Sequence, residues 1–319
     1  MVTFSEISPS EFPSMYSGGM SISEIAARAE RSYTFVRNNL ASSRAILRSK
    51  ADGTRLHVRI HPEWSRQFIK YQVKDEKRVS NDKILVLAMV ITEGYADRTS
   101  VGFTNTQSAL KDQFRNLIEM VYGGVHLGEN KITTRFSSTE ISKDLSSNMV
   151  HKTFSGPILS QILASRSVTK KVLRIVADTE GSMIISPKRS PRNFSVECRV
   201  VLASKNRAFS EQIAAMLANL GVVSHVGKNG VNISSKPQIR KFIETVGFSP
   251  GIKVIRKKAG QSTWYGKEKF ILTKLCLEVY GRQDQARASG RRGWFEQCST
   301  REETMRYLNT WYNDIVGGE

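Results

Sequence analysis

The chain has 319 residues, 39% hydrophobic and 24% charged, enough to fold as two or three units with real cores. Its 48 Lys and Arg stand against 29 Asp and Glu, a formal charge of +19 that points to a polyanionic partner, with nucleic acid the commonest. No apolar run reaches the ~18 residues of a membrane span, and "MVTFSEISPSEFPSMYSGG" lacks the basic-then-apolar layout of a secretion leader. Three scattered cysteines (Cys198, Cys276, Cys298) make neither a disulfide framework nor a four-ligand zinc site, and the five histidines form no tight cluster. The expectation is an intracellular protein, neither secreted nor bound to a membrane.

After a mobile start, residues 21 to 47 read as two helices with a tight bend. Ser21 and Glu24 have capping-box spacing, and Ile22, Ile25 and Ala29 give the first helix an apolar side. Ser32 caps the second, with Phe35, Val36, Leu40 and Leu47 packing and Arg37, Asn38 and Asn39 left outside. Residues 48 to 61, "RSKADGTRLHVRIH", read as a hairpin around Asp52-Gly53. Helix, turn, helix and basic hairpin together resemble a winged helix-turn-helix domain. That resemblance implies a second helix in the major groove, with Arg37 and Asn38 on its outer face, and a wing on the backbone. The mixed-charge run "KDEKR" (74 to 78) reads as a linker.

An internal repeat follows. "FTNTQSALKDQFRNLIEMVYGGVHLGENK" (103 to 131) lies over "LASKNRAFSEQIAAMLANLGVVSHVGKNG" (202 to 230) at an offset of 99. Leu110 falls on Phe209, Phe114 on Ile213, Leu117 on Met216, Ile118 on Leu217 and His126 on His225. Each copy reads as a strand, an amphipathic helix and a hairpin, and neither has a complete core, so the copies are expected to pack on each other. An apolar helix ending in an acid and a glycine precedes each copy, "LVLAMVITEG" (85 to 94) and "VLRIVADTEG" (172 to 181), but at an offset of 87. The second copy therefore has 12 extra residues between helix and strand, within 182 to 204. They allow a full two-strand ribbon with Lys188, Arg189 and Arg192 near its tip; the first copy has only "YADRTSVGF" there.

An acid in the last helical turn opposes the macrodipole, at a cost of a few tenths to about 1 kcal/mol. Two in matching positions, Glu93 and Glu180, need a cause. If the helices pack side by side, the carboxylates meet at one edge of the interface and repel. A divalent cation such as Mg²⁺ reverses that balance, and a basic sheet beside it suggests phosphodiester chemistry.

The nine-residue stretches "VLAMVITEG" (86 to 94) and "LRIVADTEG" (173 to 181), with their repeat, resemble the LAGLIDADG homing endonuclease family in its single-chain, two-motif form. The resemblance covers roughly residues 80 to 255. It implies an α+β fold of two pseudo-symmetric αββαββα repeats, with motif helices central and two antiparallel sheets forming a saddle over double-stranded DNA. It implies that Glu93 and Glu180 bind Mg²⁺ or another divalent cation and cleave one strand each. A basic hairpin residue near the metal is carried onto Lys228; Lys131 lies in the other hairpin but does not align with it, and reads as a solvated turn lysine. The expected DNA-binding set is Arg37, Asn38, Arg98, Lys188, Arg189, Arg192, Arg199 and Lys205. Two departures stand out. The first ribbon is short, and Ile175 occupies a usually small position, although Ala88 and Thr92 on the partner helix leave room for close approach.

Residues 253 to 294 hold eleven Lys and Arg against three acids, with Trp264 and Tyr265 between two basic blocks and helices expected near 267 to 281 and 299 to 316. The segment reads either as a grip on flanking DNA or RNA through stacking rings or as a helical cap on the second repeat. The expected organisation is an N-terminal winged helix-turn-helix (1–79), two repeats (80–165 and 166–255) and a basic helical extension (256–319), in a monomer with internal pseudo-twofold symmetry. Two functions follow. One is a site-specific, metal-dependent DNA endonuclease, of the kind borne by mobile introns or inteins. The other is a catalytically quiet DNA- or RNA-binding relative, a transcription regulator or splicing maturase.

Overall fold

The computed structural model describes residues 7–49, 79–123, 127–189, 194–255, 264–290, 298 and 300–318. The basic hairpin (but for its first residues), the linker, His126 and Arg192 lie outside these. The chain divides into two compact units, Met1–Lys70 and Tyr71–Glu319.

The first unit is helical in its described part: α1 (Phe12–Ser17), α2 (Ile22–Arg28) and α3 (Tyr33–Ser42). The capping box of α2 is present, with Ser21 N–H donating to Glu24 Oε2 (2.7 Å) and Glu24 N–H to Ser21 Oγ (3.1 Å). Ser32 Oγ accepts from Phe35 N–H at the start of α3. The core is Phe12, Tyr16, Ile25, Ala26, Val36 and Leu40. Two expectations change. Residues 9 to 17 are helical and supply Phe12, a fully buried anchor, so this stretch is ordered by core packing. Phe35 is 40% exposed, meeting Phe12 edge-on while Arg31 lies over its ring.

The second unit holds two matching arrangements of helices and antiparallel sheet. The first runs α4 (Asn81–Glu93), β1 (Gly94–Ala96), β2 (Ser100–Thr104), α5 (Ser108–Tyr122), β3 (Gly128–Glu129), β4 (Thr133–Ser137) and α6 (Thr139–Ser147). A small hairpin, β5 (Met149–Val150) with β6 (Thr153–Phe154), and helix α7 (Gly156–Leu163) lead onward. The second runs α8 (Arg166–Glu180), β7 (Gly181–Arg189), β8 (Phe194–Ala203), α9 (Arg207–Asn219), β9 (His225–Gly227), β10 (Gly230–Ile233) and α10 (Lys236–Thr245). Helices α11 (Lys269–Ala288) and α12 (Arg301–Gly317) close the chain. The sheet orders are the same, β1-β2-β4-β3 and β7-β8-β10-β9. The fold is α+β, a duplicated αββαββα core with antiparallel sheets and added helices.

Helices α4 and α8 pack along each other at the centre. From Lys83 to Ile91 every residue of α4 is buried, as its apolar composition on all sides demands. One continuous core runs through both repeats and the terminal helices, so neither copy closes its core alone. Ile175 is accommodated there, 2% exposed, while Thr92 and Thr179 turn their hydroxyls back onto the carbonyls of Ala88 and Ile175 (3.0 and 2.8 Å) and present no unpaired polar atom to the interface. No helix among the described residues is long and apolar enough to cross a membrane. The three cysteines are free and buried.

Candidate nucleic-acid interface and the paired helix ends

Strand register locates the functional side chains. Gly94 pairs with Phe103 and Gly181 with Leu202, so each motif glycine meets equivalent residues of the 99-offset repeat. A side chain at either glycine would strike backbone: an added Cβ lies 2.6 Å from Val90 Cα at Gly94 and 2.3 Å from Ala177 O at Gly181. Both glycines have extended dihedrals, so they are required for close approach and not for conformation. Glu93 and Glu180 are thereby held at the inner end of each sheet, half-buried.

The hairpins return to that same end. Thr104 pairs with Thr133 and Ala203 with Gly230, which puts the β3–β4 and β9–β10 turns beside the motif glycines. In the hairpins the offset becomes 97, since Gly128 opposes Arg135 where His225 opposes Asn232. Lys131 and Lys228 therefore occupy equivalent turn positions, both exposed, although at the offset of 99 they do not align. The same slip sets His225 against Gly128 and not against His126.

Each turn is tied to its sheet by a matched bond, Asn105 N–H to Ile132 O (2.7 Å) and Ser204 N–H to Asn229 O (3.2 Å). The side chains then diverge. Asn105 Nδ2 donates to Glu93 Oε2, whereas Ser204 Oγ serves its own loop, accepting from Asn206 N–H (3.1 Å). A further reciprocal pair crosses between repeats at the starts of α5 and α9. Lys253 N–H donates to Gln107 Oε1 (2.6 Å), and Asn206 Nδ2 donates to His151 O (2.8 Å). Next to His151, Lys152 Nζ donates to Gly94 O (3.2 Å), so this relay brings both helix ends to one end of the helix pair.

Composition did not reveal what counters the dipole at these ends. Lys269, from α11 and only 4% exposed, donates to Ala177 O (3.3 Å) and Asp178 O (2.7 Å) in the last turn of α8. Hydrogen bonds from a charged group contribute about 1.5–3 kcal/mol each when buried, more than the ~0.3–1 kcal/mol cost of an acid there, so the lysine wins. Lys152 is exposed, and its bond counts for less. Asp178 is buried as well, accepting from Ser249 N–H (2.8 Å) and Ser249 Oγ (2.6 Å). Burial raises its carboxyl above the usual range, against those bonds and the charges on Lys269 and Arg174.

The remaining predicted residues spread over the sheets. Met183, Ile185, Val196, Cys198, Val200 and Leu202 face the core, which leaves Ser186, Lys188, Glu197 and Arg199 on the opposite, open face. Arg199 stands opposite Ile184 in mid-ribbon, with its Nε enclosed and without a hydrogen-bond partner. Lys188 and Arg189 are exposed at the far end of the ribbon, Arg98 is exposed at the tip of the short one, and Lys205 sits at the inner end after β8. In the first sheet, Gly102 lies between Tyr95 and Arg135, so the exposed Arg135, outside the expected DNA-binding set, belongs to its open face. Arg37 and Asn38 are exposed on α3 of the first unit.

The terminal helices form a cap. Trp264 is 4% exposed, donates Nε1–H to Ile185 O (2.8 Å) and lies against Tyr312, so it is not a stacking platform; Tyr265 is 50% exposed.

No group of three or more His, Cys, Asp or Glu that could hold a metal gathers among the described residues. Each helix end contributes one glutamate carboxylate, a hard oxygen donor of the kind Mg²⁺ takes.

Each half of the duplicated αββαββα core opens on a central helix closed by a glycine. Residues 167–247 match the family model described as a LAGLIDADG-like domain, and residues 8–55 match that of a helix-turn-helix domain. Among solved structures the chain is similar to a mesophilic variant of the homing endonuclease I-DmoI, at 16% identity over 53% of this chain and 92% of that one, with a TM-score of 0.38. It is similar to the N-terminal LAGLIDADG domain of WhiA, at 13% identity over 58% and 88%, with a TM-score of 0.36. It is also similar to the meganuclease I-SmaMI bound to DNA, at 11% identity over 66% and 98%, with a TM-score of 0.37. No curated protein matches the sequence.

Proposed function

We propose that this chain is a sequence-specific double-stranded DNA endonuclease. The observation that carries the reading is the coincidence of an acid and a lysine turn at the inner end of each sheet, Glu93 with Lys131 and Glu180 with Lys228. The carboxylates are the ligands for a divalent cation, which when bound polarises the phosphodiester and lowers the pKa of a water. Asn105 fixes the orientation of the Glu93 carboxylate through its amide. Lys131 and Lys228 hold the phosphate by charge, and Lys205 adds to the field at the same end. The open faces read the duplex: they carry Arg135, Arg199, Glu197 and Ser186, with Tyr95 packed over Gly102 and His225 opposite Asn232. Arg37 and Asn38 of the helix-turn-helix unit extend the contact. The domain limits near residues 79, 165 and 255 and the action as a monomer with internal pseudo-twofold symmetry are part of the same proposal.

A second reading, binding without cutting, is favoured by one observation. Lys269 and Lys152 already offset the negative helix ends, so the acids have a compensating charge without a metal. The two separate in one experiment. Duplexes selected by the protein from a random pool are incubated with Mg²⁺ or chelator. The endonuclease reading expects cleavage that chelator abolishes and that Glu93→Gln with Glu180→Gln abolishes while affinity persists. Intact duplex in every lane decides for the quiet binder, and lost affinity in the double variant makes the acids structural.

A further inference from the structure

The two ribbons that leave the helix ends differ in length. β1 and β2 stay paired for three positions, Gly94 to Ala96, before Asp97 closes the turn by accepting from the N–H groups of Thr99 and Ser100. β7 and β8 stay paired for nine positions, Gly181 to Arg189. At ~3.3 Å per residue the ribbons reach about 7 Å and about 27 Å from their glycines. Stacked base pairs rise ~3.4 Å each, so the first covers about two base pairs and the second about eight.

A free two-stranded ribbon is marginally stable in water, and the long one has a backing. Ile185, Val196 and Cys198 face the core, and α11 and α12 pack on β7. Trp264 bonds the Ile185 carbonyl, and Cys198 on β8 and Cys276 on α11 are both buried in the core. The extra ribbon length and the terminal helices are thus one device. On the opposite face, Arg199, Glu197, Ser186 and Lys188 remain open, and a major groove admits a two-stranded ribbon of this width.

Resting on the duplex-binding reading above, we propose that the target is lopsided about the paired helix ends, short on the Glu93 side and long on the Glu180 side, with the terminal helices acting as the splint of the long arm. Trp264 is a positioning residue in this scheme, and Arg199 and Lys188 determine specificity.

The test is selection of bound sequences from random duplexes with the full chain, followed by affinity for every single-base change in the selected site. The expected profile extends several base pairs farther on one side of its centre. Arg98→Ala relaxes discrimination near the short end, and Lys188→Ala or Arg199→Ala relaxes it on the long side by about tenfold. Trp264→Phe, which keeps the ring and loses the bond to Ile185, blurs the outer long-side positions and spares the inner ones. Because a core variant can fail to fold, the exposed Lys188→Ala variant alone suffices to judge the proposal. A profile symmetric about its centre, or one in which Lys188→Ala acts only near the centre, overturns the lopsided target while leaving duplex recognition standing. No enriched sequence overturns both.

Discussion

The ammonium of Lys269 lies 2.7 Å from the carbonyl oxygen of Asp178, so a residue 91 positions downstream closes the last turn of the central helix α8. The terminal helices are thereby joined to the candidate site by a charge and not only by apolar contact.

Replacing Lys269 with Met removes the lysine's bonds to the Asp178 and Ala177 carbonyls, of which Ala177 O keeps the Gly181 N–H, and removes the charge facing Asp178. The expected loss is about 2–3 kcal/mol of stability, read from urea unfolding monitored by circular dichroism. A loss below about 0.5 kcal/mol, the range of ordinary surface changes, would contradict the role assigned to the bond.

Asp178 supplies a pH dependence. Its carboxyl is raised above the ordinary 3.8 by burial, so the folded state holds the proton more tightly than the unfolded chain does. Its contribution is full below 3.8 and is lost as pH rises through the folded value. Asp178→Asn, which keeps an acceptor for Ser249, removes that slope, and the variant gains on the parent as pH increases from 3.8. Urea midpoints measured across the pH series check this, and a constant difference between the two proteins counts against it.

The motif glycines are steric requirements. Alanine at Gly181 places Cβ 2.3 Å from Ala177 O, and at Gly94 2.6 Å from Val90 Cα, contacts that only backbone movement relieves. Each is expected to cost about 1–3 kcal/mol, as overpacking does, with Gly181→Ala at the upper end. Thermal unfolding of the two variants ranks them, and a neutral Gly181→Ala would refute the close approach.

Duplex affinity should fall steeply with added salt, since the net charge of +19 is brought to phosphates through Lys and Arg. Lys131→Ala and Lys228→Ala should each lower the slope of log K against log salt by about 1. Titration at several salt concentrations measures it; an unchanged slope removes these lysines from the interface.

Much of the second unit was legible in the sequence, because helices α4 and α8 and the repeat that follows carry strong periodicity and register. The 12-residue excess is seen as the three-pair and nine-pair ribbons. What escaped depended on contacts far apart in the chain or on small slips. A two-residue difference between α5 and its hairpin hid the equivalence of Lys131 and Lys228. Lys269 reads as one cation among many until α11 is docked, and Trp264 reads as a stacking ring until Ile185 O is found beneath it. Asp178 reads as a helix residue, and only Ser249, 71 positions away, explains its burial. Arg135 is a lone charge in a polar strand until register sets it opposite Gly102.

β7 runs nine residues along the margin of its sheet, the longest such margin in the described chain. A bare margin of that length invites a strand from a neighbouring molecule and, with it, fibrous self-association. The indole of Trp264 and the two helices across β7 close that invitation. Whatever recognition gains from the extended ribbon, the same covering keeps concentrated protein from polymerising through it.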